Sequence, residues 1–256
     1  MFEFKIFVFL FFSFFGAFIA TKELRKYALR HHLLDYPNNR SSHDVPTPRG
    51  GGPSIIVVFL LSLMLITILD LISWSTFLSL APGTILIAGI GWLDDHGHVQ
   101  RKIRVALHFF SAGLALWFLG SPPSIDIGSY SWEWGWFGAI IVVTTIAWLV
   151  NLYNFMDGID GIVAVETIFI AGVSGVFLYF SGSVGLALLY FSIVFASAGF
   201  LVFNWPPASI FMGDAGSGFL GFTLGVLAIA AAKEGRTTLW TSLILLGVFA
   251  VDATLT

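Results

Sequence analysis

Apolar residues run through this chain in blocks of about 20, the length a helix needs to cross a hydrocarbon layer. Nine such spans are predicted, at 4–21, 53–72, 75–93, 103–119, 136–153, 162–180, 184–203, 217–232 and 238–256. The connections alternate in character. Residues 22–52 and 94–102 are long, polar and basic, and Arg104 follows closely. The connections near 73, 120–135, 181–183 and 233–237 are short or poor in Lys and Arg. The pattern predicts an all-α, multi-pass membrane protein forming one integral-membrane domain over 1–256.

The basic residues orient it. Lys22, Arg25, Lys26, Arg30, Arg40, Arg49, Arg101, Lys102 and Arg104 fall on one side, and Lys5, Lys233 and Arg236 on the other, nine against three. The positive-inside rule then places the N-terminus outside and the basic loops in the cytoplasm. The first run resembles a signal peptide in length. Glu3 and Lys5 precede it, however, and its basic cluster comes after it, as in a first membrane helix. Ser121–Gly135 carries Asp126 and Glu133 but no basic residue, which suits the outside. Its Trp132 and Trp134, with Trp136 beyond, suit an interfacial belt.

Composition agrees. The 256 residues are 57% hydrophobic and 11% charged, with mean hydropathy +0.90, where a soluble domain carries about 25% charged residues. There is no cysteine, so no disulfide, thiolate metal site or thiol nucleophile. The net charge of −3 says little beside where the charges sit. Small residues recur along the spans at Gly83, Gly89 and Gly91, at Gly172 and Gly175, and at Gly221 and Gly225, as close helix packing in a membrane requires.

Parity brings the remaining polar groups to one face. Odd spans end and even spans begin on the cytoplasmic side. Asp94-Asp95, the stretch Asn151–Gly161, Asp214 and the 41–52 loop therefore share it. Charged groups cost roughly 2.5–3.5 kcal/mol at a bilayer centre, so four Asn and Asp side chains packed between two apolar runs need a chemical reason. Asn154, Asp157 and Asp160 are spaced i, i+3, i+6, near one helix face while the helix lasts. Gly158 and Gly161 then allow a break, and the N–H groups opening the sixth span form an anion site. Carboxylates beside an anion site call for a cation between them. Oxygen donors without sulfur suggest Mg²⁺, or Mn²⁺.

Other candidates are weaker alone. Asp94 and Asp95 point about 100° apart on a helix and share a ligand only if it frays. They also oppose their own helix dipole. His96 and His98 read as ordinary loop histidines. Asp214 is a cap or a metal ligand, and Ser217 reads as the N-cap of the eighth span. In the loop from Arg40 and His43 to Pro53, Gly50, Gly51 and Gly52 allow close backbone approach, and Arg49 is a phosphate clamp or an anchor. Arg101, Lys102 or Arg104 would bind a diphosphate. His108, Glu166 and Asp252 are candidates by position.

Together, Pro46-Thr-Pro-Arg-Gly-Gly, Asp94-Asp95, Asn151-Leu-Tyr-Asn-Phe-Met-Asp-Gly-Ile-Asp-Gly and Phe211-Met-Gly-Asp-Ala-Gly-Ser resemble the polyprenyl-phosphate N-acetylhexosamine-1-phosphate transferases (glycosyltransferase family 4). Arg49-Gly-Gly-Gly and Asn204-Trp-Pro-Pro resemble the O-antigen-initiating branch more than the peptidoglycan branch. The resemblance implies transfer of a sugar-1-phosphate from a UDP-N-acetylhexosamine to undecaprenyl phosphate, with release of UMP. It places the enzyme in the bacterial inner membrane, early in lipopolysaccharide or cell-wall synthesis. It implies Asp94, Asp95 and Asp157 as catalytic carboxylates, and Asp157 and Asp214 as Mg²⁺ ligands. Substrate would bind Arg49, Gly51, Lys102, Arg104, Asn151, Asn154 and Asp160. The partners are the bilayer and these two substrates, with no nucleic acid, and a homodimer is compatible with it. Family members carry a His-containing loop and one or two further spans after the ninth. The expectation is therefore a fragment of a chain with ten or eleven spans. The rival reading is a proton- or anion-coupled transporter, whose ionisable residues belong near the midplane in broken helices.

Overall fold

The computed structural model describes residues 2–37, 44–97, 99–127 and 130–255. Arg40, His43 and His98 lie outside them. The long helices are α1 (Phe2–Arg30), α2 (Pro53–Ile68), α3 (Trp74–His96), α4 (Arg101–Leu119), α5 (Gly135–Met156), α6 (Ile162–Phe180), α7 (Val184–Asn204) and α8 (Asp214–Lys233). Seven of them are long and apolar enough to cross a membrane, and α2 is a shorter apolar helix. The protein is a multi-pass, all-α membrane protein.

Two features differ from the sequence pattern. The ninth span is divided into α9 (Leu239–Leu245) and α10 (Gly247–Leu255). The break falls before Gly247, a weak helix former, although Leu246 N–H still donates to Ser242 O and Ala250 N–H to Leu246 O. Short hairpins also interrupt two loops. Leu34–Asp35 (β1) pairs antiparallel with Thr47–Pro48 (β2), and Ile125–Ile127 (β3) with Tyr130–Trp132 (β4). Trp132 and Trp136 are exposed, and Trp134 Nε1 donates to Pro123 O at 3.1 Å.

One helix is the axis of the bundle. Every residue of α8 from Ala215 to Ala231 is buried, and α3 and α5 are its main neighbours. A helix apolar all round belongs inside, but in lipid no hydrophobic force gathers helices. Close van der Waals packing must do so. Small residues permit it. A Cβ on Gly91 would lie 2.5 Å from Ala215 Cα, one on Gly52 would lie 2.3 Å from Gly216 Cα, and one on Gly221 would lie 2.4 Å from Leu149 O. Gly91 thus sets α3 against the first turn of α8, and Asp214 is held where the bundle's axis meets its polar end.

Gly89, two residues earlier, has open space around its Cβ position. Gly91→Ala should therefore cost about 1–3 kcal/mol through overpacking, and Gly89→Ala should be neutral or slightly stabilising. Thermal unfolding of the two variants in detergent checks the contrast.

Candidate active site

The polar cluster is built from helix ends. The C-terminal turn of α3 supplies Asp94 and Asp95, and the start of α4 supplies Arg101 and Arg104. The end of α5 supplies Asn151, Asn154 and Asp157, and α8 begins with Asp214. The loop before α2 adds Arg49. Its position comes from a backbone seam. Phe211 N–H donates to Pro48 O at 2.8 Å, Gly51 N–H to Phe211 O at 2.9 Å and Gly52 N–H to Met212 O at 2.9 Å. Arg49 sits in that seam, bridged to Phe211.

The adjacent carboxylates do not share a ligand. α3 stays helical through His96, so Asp94 and Asp95 face different neighbours. Asp95, whose side chain is 1% exposed, forms an ion pair with Arg49. It also accepts from Asp214 N–H at 3.1 Å and Ala215 N–H at 3.3 Å. A carboxylate from α3 therefore caps α8, where anions are favoured. Gly213, with φ +81°, makes the turn beneath it, and a Cβ there would meet Asp95 Oδ2 at 2.7 Å. Ser217 is not the N-cap. The helix starts three residues earlier, and Ser217 donates within the first turn to Gly213 O at 3.2 Å. Asp94 accepts from Val99 N–H at 3.0 Å and pairs with Arg104.

Arg104 is the centre of the charge network. Besides Asp94 it reaches Asp214 Oδ2 at 3.0 Å and Asn154 Oδ1 at 3.5 Å. Asn154 Nδ2 donates to Ser217 Oγ at 3.3 Å. His108, one turn further along α4 and buried, stands 3.3 Å from Asn151 Nδ2. Asn151 also donates to Ala147 O at 2.7 Å. A cavity of about 560 Å³ opens over this network, lined by Arg49, Asp94, Val99, Arg101, Arg104, Val105, Asn151 and Asn154. Three guanidinium groups face one space. Guanidinium groups can offer paired N–H donors to an anion and keep their charge at any ordinary pH.

Several expected residues lie elsewhere. Lys102 is exposed and does not line the cavity; Arg101 does, because only i, i+3 neighbours share the face of Arg104. Gly51 packs against Phe200 and donates to Phe211 O, so it is part of the seam. Helix α5 ends at Met156, so Asn154, Asp157 and Asp160 do not share a helix face. Asp160 instead accepts from Ala208 N–H at 2.8 Å. Where α6 begins and an anion site is expected, Gly161 N–H donates to Asn204 Oδ1 at 3.0 Å and Ile162 N–H to Ile159 O at 3.3 Å. His96 bonds to Trp92 O. Glu166 Oε1 is buried and finds no partner among the described residues, and Asp252 is exposed on α10.

Burial pushes the Asp157 carboxyl well above the usual carboxylate range, and the negative charges of Asp214 and Asp95 add to the shift. For Arg49, burial alone would lower the pKa, but the hydrogen bond and charge of Asp95 hold it above its usual value. Among the described residues no three acidic or histidine side chains stand close enough to enclose a metal by themselves. The donors on hand are the carboxylates of Asp157 and Asp214 and the side-chain amide of Asn154, all hard oxygen ligands. Such a set fits Mg²⁺, which takes one or two protein carboxylates and completes its shell with water and substrate.

The structure is that of a polytopic membrane protein with an arginine-lined cleft beside acidic helix ends at one side of the bundle. Residues 77–232 match the model of glycosyl transferase family 4, and the chain belongs to that family. It is 28% identical to a probable undecaprenyl-phosphate N-acetylglucosaminyl 1-phosphate transferase of Bacillus subtilis, over 92% of this chain and 66% of the relative. It is 30% identical to an undecaprenyl-phosphate alpha-N-acetylglucosaminyl 1-phosphate transferase of Yersinia pestis, over 84% and 62%. A phospho-N-acetylmuramoyl-pentapeptide-transferase of Streptococcus pyogenes is 29% identical over 89% and 70%. The chain thus spans roughly two thirds of the length of these relatives.

Arg49→Met would leave Asp95 buried without its guanidinium. Breaking a buried pair costs about 3–5 kcal/mol, and the loss here should sit at the low end because the Arg49 side chain is 33% exposed. Arg49→Met combined with Asp95→Asn should recover part of it, since Asn still accepts one α8 amide. A double-mutant cycle in chemical or thermal unfolding measures the difference.

Proposed function

We propose that the protein transfers a sugar-1-phosphate from a UDP-N-acetylhexosamine to undecaprenyl phosphate, releasing UMP, at the cytoplasmic face of a bacterial inner membrane. The observation that carries this reading is the convergence of Arg49, Arg101 and Arg104 on one cavity, in a chain of glycosyl transferase family 4. The names of two relatives favour N-acetylglucosamine as the sugar. A coupled transporter is disfavoured, because the polar network gathers at helix ends on one side of the bundle.

The reaction joins two polyanions, so charge neutralisation and alignment are its main demands. Arg104 and Arg101 bind the diphosphate of the nucleotide sugar from the α4 side, and Arg49 holds phosphate oxygens from the opposite rim. The lipid phosphate oxygen attacks the sugar-linked phosphorus. A P–O bond to the lipid forms, the P–O bond to UMP breaks, and the electron pair leaves on UMP. A phosphate monoester is largely ionised at neutral pH, so the nucleophile needs no strong base. Asp94 fits the role of orienting the lipid phosphate, through its contact with Arg104. Asp95 is a positioning residue that sets Arg49 and the start of α8. Asn154 orients Arg104 and Ser217. Asp157 and Asp214 are the residues that would hold Mg²⁺ or Mn²⁺. The ion would supply Lewis-acid stabilisation of the phosphoryl oxygens.

UMP release from UDP-N-acetylhexosamines, measured with and without undecaprenyl phosphate and Mg²⁺, tests the reading. Release should require both, and none with any sugar from folded protein would remove the proposal. Asp157→Asn and Asp214→Asn should each lower turnover by roughly a hundredfold or more. Near-normal rates in both would remove the metal assignment. Arg104→Gln should lose as much, while Lys102→Gln, an exposed charge, should stay within about twofold.

A further inference from the structure

The far end of α8 carries a second site. Lys233 closes that helix, about 30 Å from Asp214 at 1.5 Å per residue. Of the three basic residues on this side of the chain, Lys5, Lys233 and Arg236, two line one cavity of about 360 Å³, together with Ser124, Thr237 and Thr238. Lys233 donates to Leu119 O and Arg236 to Ser181 O at 2.8 Å. An ammonium has three donors and a guanidinium five, so each head group is anchored with donors to spare. Thr237 Oγ1 is buried and finds no partner among the described residues. The neighbouring Glu234 accepts from Ser183 Oγ at 2.6 Å and does not line the cavity.

This basic mouth adjoins an apolar chamber. The two spaces share Ile125, Leu239 and Trp240. Beyond them the walls are Val142, Ile146 and Leu149 of α5, Gly225 and Ile229 of α8, and Leu243 of α9. Trp134 and Trp240 stand at the chamber as well, with Trp132 and Trp136 exposed nearby in the chain. Indole rings settle at the boundary of head groups and acyl chains, which puts the basic mouth at phosphate depth and the chamber at chain depth.

We infer that this groove binds an anionic glycerophospholipid in the leaflet opposite the catalytic cleft. Its phosphate lies against Lys233 and Arg236 and accepts from the Thr237 hydroxyl, and an acyl chain lies between α5, α8 and α9. A soluble anion would satisfy the mouth and leave the chamber empty. That the two spaces lie side by side, with Ile125, Leu239 and Trp240 lining both, is the reason to assign a lipid. The site is independent of the transfer reaction, and α8 connects the two.

The test uses the full-length protein, delipidated in a neutral detergent. Phosphatidylglycerol should raise the melting temperature and phosphatidylcholine should not. In a Lys233→Gln, Arg236→Gln double variant the half-maximal phosphatidylglycerol concentration should rise roughly tenfold or more. A shift that survives in the variant overturns the assignment in favour of the basic end of α1. The same shift produced by glycerol 3-phosphate alone overturns it in favour of a soluble anion. Should the variant not fold, phosphatidylglycerol with a photoreactive acyl chain decides in the unaltered protein. Labelling of 141–149 or 225–246 supports the groove, and labelling confined to other peptides rejects it.

Discussion

The carboxylate of Asp95 is the contact on which the polar end of the molecule depends. It lies at the negative end of its own helix, α3, an unfavourable place for an anion. It is held there by what it does for α8, whose first two amides it accepts, and for Arg49, whose charge it balances. One buried group therefore joins three segments distant in sequence. Gly213 and Gly91 leave the room for it, one under the carboxylate and one beneath the first turn of α8. With little water to replace a lost partner, each of these contacts is hard to give up.

Charge in the cleft is divided by role. Acidic groups lie beneath and are committed to Arg49, Arg104 and the start of α8. The cavity beside them is lined by three arginines, two asparagines and one of those carboxylates, Asp94. A polyanion entering it meets guanidinium groups whose carboxylate partners lie close by. Such a surface is prepared for phosphate without carrying a large net charge. Burial, with the charges of Asp214 and Asp95 adding to it, raises the pKa of the Asp157 carboxyl at the end of α5.

Helix α8 gives the bundle its two ends. Its N-terminus is capped into the acidic cluster and its C-terminus reaches the basic mouth of the lipid groove. Because α8 is buried along almost its whole length, a displacement at either end must be taken up by α3 and α5, which pack on it and carry most of the cleft.

Much of this was legible in the chain. Spans of α-helical length follow from the long apolar runs, because in hydrocarbon only the helix satisfies its own backbone. The gathering of polar motifs at one face follows from counting spans, since parity requires no knowledge of packing. What the sequence could not decide was partnership. Asp95 looks like a twin of Asp94 until α3 is seen to stay helical, turning them to different neighbours. Lys102 looks as able as Arg101 or Arg104 until the helix face is fixed. Asp160 and the Gly161 amide look free for a ligand until Ala208 and Asn204 are seen to pair with them. Ser217 looks like a cap until a carboxylate 119 residues away from Asp214 takes that place. Hydrophobic periodicity and local spacing act over one helix, and the sequence by itself settled what they govern. Which polar group meets which is set by how closely whole helices approach, and only the tertiary structure decides that.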